Sequence, residues 1–115
     1  MGQPVVHFEI TARNGKRLQD FYAKLFGWKI DASNPMNYGI VDTQSEGGIG
    51  GGIGPTDGES GVTFYIEVDD PQAYVDRIES AGGKTVVPVT EIPGMVTFAQ
   101  FADPEGNVVG LVKEE

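Results

Sequence analysis

Apolar and polar residues alternate with a period of two in two stretches of the chain. In Val6–Ile10 the apolar positions are Val6, Phe8 and Ile10, with His7 and Glu9 between them. In Val62–Val68 they are Val62, Phe64, Ile66 and Val68, with Thr63, Tyr65 and Glu67 between them. Such alternation predicts a strand with one face on a core and the other more polar. A helical pattern comes after each strand: Leu18, Phe21, Tyr22 and Leu25 after the first, and Tyr74, Ile78 and Ala81 after the second. Asn14 and Asp70 stand where N-caps belong, and Pro71 suits a first helical position. Gly27 and the pair Gly82-Gly83 supply C-terminal stops. Strand-like segments come next at Trp28–Asp31, Asn37–Thr43 and Gly47–Ile53, and again at Thr85–Val87, Met95–Phe101 and Asn107–Lys113. The run Asp103-Pro104-Glu105-Gly106-Asn107 is a strong turn signal before the last of these.

The two patterns are one pattern repeated. A shift of 56 residues places Phe8 on Phe64, Ile10 on Ile66, Asp20 on Asp76 and Gly27 on Gly83. It also places Gly50 on Gly106 and Gly54 on Gly110. The expected architecture is therefore α+β: two βαβββ modules, about 2–57 and about 58–113, related by an internal pseudo-twofold within a single domain, 1–115. The helices cover the outer, apolar face of a concave mixed sheet. The inner face carries His7, Glu9, Thr63, Tyr65 and Glu67, which become the candidate pocket residues.

Composition narrows the chemistry. The chain has 115 residues, 17 of them Gly, and no Cys. That excludes disulfides, thiolate nucleophiles, zinc knuckles and iron–sulfur sites. The net charge is −9, which disfavours a nucleic-acid partner. Residues 1–29 nonetheless carry net +3, so the remainder carries −12. No stretch has membrane-spanning length, and the first residues lack a charged region leading into an apolar run. A cytoplasmic location without membrane attachment is the expectation. The stretch Gly47–Gly54 fits neither phosphate-binding glycine pattern, and Pro55 to Gly61 after it reads as a turn, not a helix. It reads better as a loop entering a Gly-rich strand, where backbone comes close to a neighbour.

Val6-His7-Phe8-Glu9-Ile10, Phe21-Tyr22-Ala23-Lys24-Leu25-Phe26-Gly27-Trp28, Ile66-Glu67-Val68-Asp69-Asp70-Pro71, Ala81-Gly82-Gly83-Lys84 and Asp103-Pro104-Glu105-Gly106-Asn107 occur in order along the chain. As a set they resemble the glyoxalase / bleomycin-resistance / extradiol-dioxygenase superfamily, the vicinal oxygen chelate proteins. The branch most resembled is that of predicted enzymes related to lactoylglutathione lyase. The resemblance implies a divalent ion in the metal-dependent members, held by first-strand and last-strand side chains. Those positions fall on His7, Thr63, Gly110 and, in the Gly-rich stretch, at or near Gly54. One good ligand among four does not make a stable site. No metal and no cofactor are therefore expected.

Each candidate has a bland reading beside the functional one. His7 is either a pocket acid/base or a partner of a neighbouring strand. Glu9 and Glu67 are either a carboxylate pair for proton transfer or groups at a solvated rim. Tyr65 stacks on a ligand or fills the cavity, and Trp28 packs in a core or a dimer interface. No nucleophile elbow is present. The leading expectation is a protein that binds a small organic molecule on its concave face without a metal. The alternatives are a metal-dependent lyase, isomerase or dioxygenase with a site relocated to His7, Glu9 or Glu67, and a dimeric interaction module without a ligand. Enzyme and binding protein both stay open. A homodimer is expected from the resemblance and from exposed sheet edges.

Overall fold

The computed structural model describes residues 2–114. Eight strands and two helices succeed one another as β1 (Val5–Ala12), α1 (Gly15–Phe26), β2 (Lys29–Asp31), β3 (Gly39–Asp42), β4 (Gly51–Pro55), β5 (Gly61–Val68), α2 (Pro71–Ser80), β6 (Lys84–Ile92), β7 (Val96–Ala102) and β8 (Val108–Lys113). The class is α+β, as the alternating pattern predicts. The described residues divide into two compact units, one of residues 6–63 and one of residues 64–114 with 2–5. The expected module boundary near 57 thus lies short of the unit boundary, because the first residues of β5 stay with the first unit.

Both units use the same strand order. In the first it is β2-β3-β4-β1, with β1 parallel to β4 and the other pairs antiparallel. In the second it is β5-β8-β7-β6, with β5 parallel to β8 and the other pairs antiparallel. The parallel pair needs a long connection, which the helix and two intervening strands provide. β6 runs well past the expected Thr85–Val87. Pro88 is tolerated within it because β6 is the edge of its unit's sheet, and the β6–β7 register shifts around it.

Helix starts and stops obey the chemistry expected of them. Asn14 accepts from the Arg17 N–H at 3.0 Å, and Asp70 accepts from the Ala73 N–H at 3.3 Å. Gly27 ends α1 in the left-handed conformation at φ 70°. The second unit has an aliphatic core of Val68, Val75, Ala99 and Leu111, joined by Ile66, Tyr74, Ile78, Val89 and Phe101.

The first unit differs, and α1 corrects the expected apolar stripe. The helix buries Gly15 and Gln19, while Phe21 is 51% and Leu25 58% exposed. The reason is the partner strand. β4 is almost without side chains, so the helix approaches its backbone through Gly15. A Cβ there would stand 2.8 Å from the Pro55 nitrogen. One turn on, Gln19 Nε2 donates to the carbonyls of Ile53 at 2.7 Å and Asn37 at 3.1 Å. This orientation leaves the Leu18–Phe21–Leu25 line on the helix flank. Trp28 packs within the unit, between Tyr22 (5.4 Å between ring centres), Phe8 and Phe26.

Gln19→Leu keeps the volume but removes the donor to two carbonyls. A loss of about 1–3 kcal/mol is expected in denaturant unfolding. A loss near zero would show that this polar contact is not what seats the helix.

Candidate functional site

Strand alternation puts His7 and Glu9 on the face of β1 opposite Phe8 and Ile10. Across the parallel ladder Glu9 stands beside Gly52 and Thr11 beside Gly54. The space above those glycines is filled by Tyr38, which no sequence signal singled out. A Cβ on Gly52 would overlap the Tyr38 hydroxyl, and one on Gly54 would lie 2.8 Å from its Cδ1.

The Tyr38 hydroxyl joins the two polar groups of β1. It donates to Glu9 Oε2 at 3.1 Å and lies 2.8 Å from His7 Nε2. A phenol has one proton. With that proton directed to Glu9, His7 Nε2 carries a hydrogen and donates to the phenol oxygen. Burial pushes the His7 pKa below its ordinary 6.5, so the ring is neutral at pH 7. The two rings are nearly parallel, 6.3 Å apart at their centres. His7, Tyr38 and Glu9 therefore form a hydrogen-bonded chain directed from the imidazole N–H through the phenol to the carboxylate.

Tyr38 is placed by its own loop. Asn34 Oδ1 accepts from the Tyr38 N–H at 3.0 Å, and Asn34 Nδ2 donates to the Tyr38 carbonyl at 2.7 Å. Asn37 precedes it at φ 55°, and its carbonyl is held by Gln19. Asn tolerates this left-handed conformation better than most residues. The sequence predicts a strand starting at Asn37, whereas β3 begins at Gly39 and leaves Asn37 and Tyr38 in the loop before it. That Tyr38 would lie over a Gly-rich strand is not readable from sequence, because the two are brought together by the β3–β4 pairing.

The second unit treats its corresponding strand in the same way with a different residue. Tyr65 stands opposite Gly110, is only 6% exposed, and its ring would overlap a Cβ on Gly110. Its hydroxyl accepts from Gln100 Nε2 at 2.8 Å. Glu67, two residues on, is half-buried, and its N–H donates to the Pro4 carbonyl at 2.9 Å. Thr63 is half-buried at the end of the first unit. The structure thus assembles His7 and Glu9 around Tyr38, and Tyr65 around Gln100 and Gly110. By register the counterpart of Gly110 is Gly52, since they face the equivalent residues Tyr65 and Glu9 of the repeat. Gly54 lies two residues further on.

The residues present do not fit the metal that the resemblance implies. Gly110 and Gly54 offer no side-chain donor, and tyrosine rings occupy the space such donors would need. The two good donors, His7 and Glu9, are both engaged by the Tyr38 hydroxyl. Among the described residues no three His, Cys, Asp or Glu groups are placed to share an ion. Among those residues, too, no helix is long and apolar enough to cross a membrane.

The family model described as Glyoxalase/Bleomycin resistance protein/Dioxygenase superfamily matches residues 5–111. A glyoxylase-like domain-containing protein of Didymella fabae is 34% identical over 110 residues, which cover 86% of this chain and 84% of that protein. The anthracycline biosynthesis protein DnrV of Streptomyces peucetius is 30% identical over 117 residues, 86% of this chain but 42% of that protein. The chain thus spans less than half of this second relative. Among solved structures, methylmalonyl-CoA epimerase from Mycobacterium tuberculosis has a TM-score of 0.72 at 12% identity, over 96% of this chain and 87% of that one. At that identity the likeness is one of fold.

Two outcomes test this geometry. The folded chain holds His7 at a lowered pKa, so the unfolded state binds more protons between the two values. The His7 contribution is therefore full above about pH 6.5 and is lost as pH falls toward the folded value. Unfolding midpoints measured from about pH 7.5 to about pH 5 should drop more for the parent than for His7→Gln. Parallel curves would remove His7 as the cause. Separately, Gly52→Ala should cost roughly 1–3 kcal/mol through displacement of Tyr38. The same change in a Tyr38→Ala background should cost less, and equal costs would mean the ring is not the obstacle.

Proposed function

This chain belongs to the Glyoxalase/Bleomycin resistance protein/Dioxygenase superfamily, and on that premise we propose that it binds a small organic molecule at the His7–Tyr38–Glu9 face without a resident metal. The observation that carries this reading is the Tyr38 hydroxyl held between His7 Nε2 and Glu9 Oε2. The three side chains, each half-buried, offer one movable proton, one carboxylate acceptor and one neutral imidazole. Such a set suits a ligand bearing a carbonyl or phenol oxygen. That oxygen accepts the Tyr38 proton in place of Glu9, and Glu9 is then free to accept from a ligand hydroxyl. The fixed backbone of Tyr38 lowers the cost of ordering the group on binding. The name of one relative, an anthracycline biosynthesis protein, puts aromatic ligands first.

The donor set supports a metal-free site over a metal-dependent lyase, isomerase or dioxygenase. It supplies one imidazole and one carboxylate where a lasting divalent site needs three or more ligands. Fold alone does not separate these readings, because one fold hosts many reactions.

A thermal-shift screen of phenols, aromatic aldehydes and quinones tests the proposal. A binder at a hundred times its Kd adds about 2.7 kcal/mol. The expected result is a stabilising aromatic ligand whose shift is lost in Tyr38→Phe, a variant that keeps the ring and the fold. Hits that bind Tyr38→Phe as tightly as the parent would place the ligand elsewhere. A tight one-to-one site for Ni, Zn, Mn or Fe, lost in His7→Ala, would overturn the metal-free reading.

A further inference from the structure

A recess lies on α1, and its lining does not include Tyr38. It is a shallow groove of about 450 Å³ between the end of β1, the first two turns of α1 and Ser60. The exposed Phe21 and the half-buried Leu18 line it together with Arg13 and Arg17. Among the described residues neither arginine makes an ion pair, although the chain has 17 carboxylate side chains. Arg13 makes only a long contact, 3.4 Å, from Nε to the Gly58 carbonyl. The helix N-terminus is not what attracts charge here, because Asn14 already caps it.

Two guanidinium groups without an ion pair among the described residues, beside the exposed Phe21 ring and the half-buried Leu18, match one ligand type. We propose that this groove binds an amphipathic aromatic carboxylate. Its ring lies against Phe21 and Leu18, and its carboxylate takes charge-assisted hydrogen bonds from Arg13 and Arg17. The volume falls in the usual range for small-molecule sites, roughly 300–1,000 Å³. The net charge of −9 repels an extended polyanion, whereas a single carboxylate can be met by Arg13 and Arg17 in the groove lining. A second copy is disfavoured at the same face. A twofold contact through α1 would bring Arg17 and Lys24 of both copies together.

Isothermal titration of the whole chain with naphthoate tests the proposal, with the neutral naphthamide as comparator. The expected result is one-to-one binding of naphthoate, about tenfold or more tighter than naphthamide and weakened by salt. The double variant Arg13→Gln/Arg17→Gln, at exposed positions, should lose about tenfold or more in affinity with its unfolding midpoint unchanged. Tyr38→Phe should bind naphthoate as the parent does, so this site and the sheet-face site stand or fall separately. Equal affinity for acid and amide, no effect of the double variant, or loss of naphthoate binding in Tyr38→Phe would each overturn the assignment. So would a parent chain that self-associates through this groove and dissociates on the double substitution.

Discussion

β4 has almost no side chains, and both faces of the first unit are shaped by that. A strand of Gly51, Gly52, Ile53 and Gly54 lets neighbours come down to its backbone. On one face the helix does so, with Gly15 against Pro55 and Gln19 reaching the Ile53 carbonyl. On the other the Tyr38 ring does so, above Gly52 and Gly54. Close approach to bare backbone leaves carbonyls that need donors, and Gln19 supplies two. The same contact turns α1 away from its most apolar orientation. The Phe21 ring left exposed by that turn lines the arginine groove.

The second unit meets the same constraint with less consequence. Gly110 admits the ring of Tyr65, which comes from the strand beside it and not from a loop. Its hydroxyl accepts from Gln100, a neutral amide. The repeat thus places a phenol on the last strand of both units. In the first an imidazole and a carboxylate stand around it. The two halves keep one architecture and differ in chemistry, because Glu9 and Tyr65 occupy equivalent positions in their ladders.

Much of the architecture was legible in the residues. The alternation at Val6–Ile10, the caps at Asn14 and Asp70, and the stop at Gly27 each predict an element that forms. These signals are local, set by steric and hydrogen-bonding preferences within a few residues. The Gly-rich stretch also reads correctly as a loop entering a strand. The orientation of α1 was not legible. Helical spacing alone favours Leu18, Phe21, Tyr22 and Leu25 as the buried line; the structure keeps Leu18 and Tyr22 half-buried but exposes Phe21 and Leu25, because the side-chain-free β4 draws in Gly15 and Gln19 instead.

The candidate site divides in the same way. The order of residues is enough to put His7 and Glu9 on one strand face, and the resemblance is enough to put glycine at positions where it implies metal ligands. Period-two geometry and the absence of a side chain require nothing further. What stands above those glycines was settled by folding. Tyr38 is 29 residues from Glu9 and 31 from His7. No local pattern links residues so far apart. The β3–β4 pairing, the Asn34 clasp and the Gln19 bridge bring the phenol to them, and those contacts exist only once the chain has packed against itself.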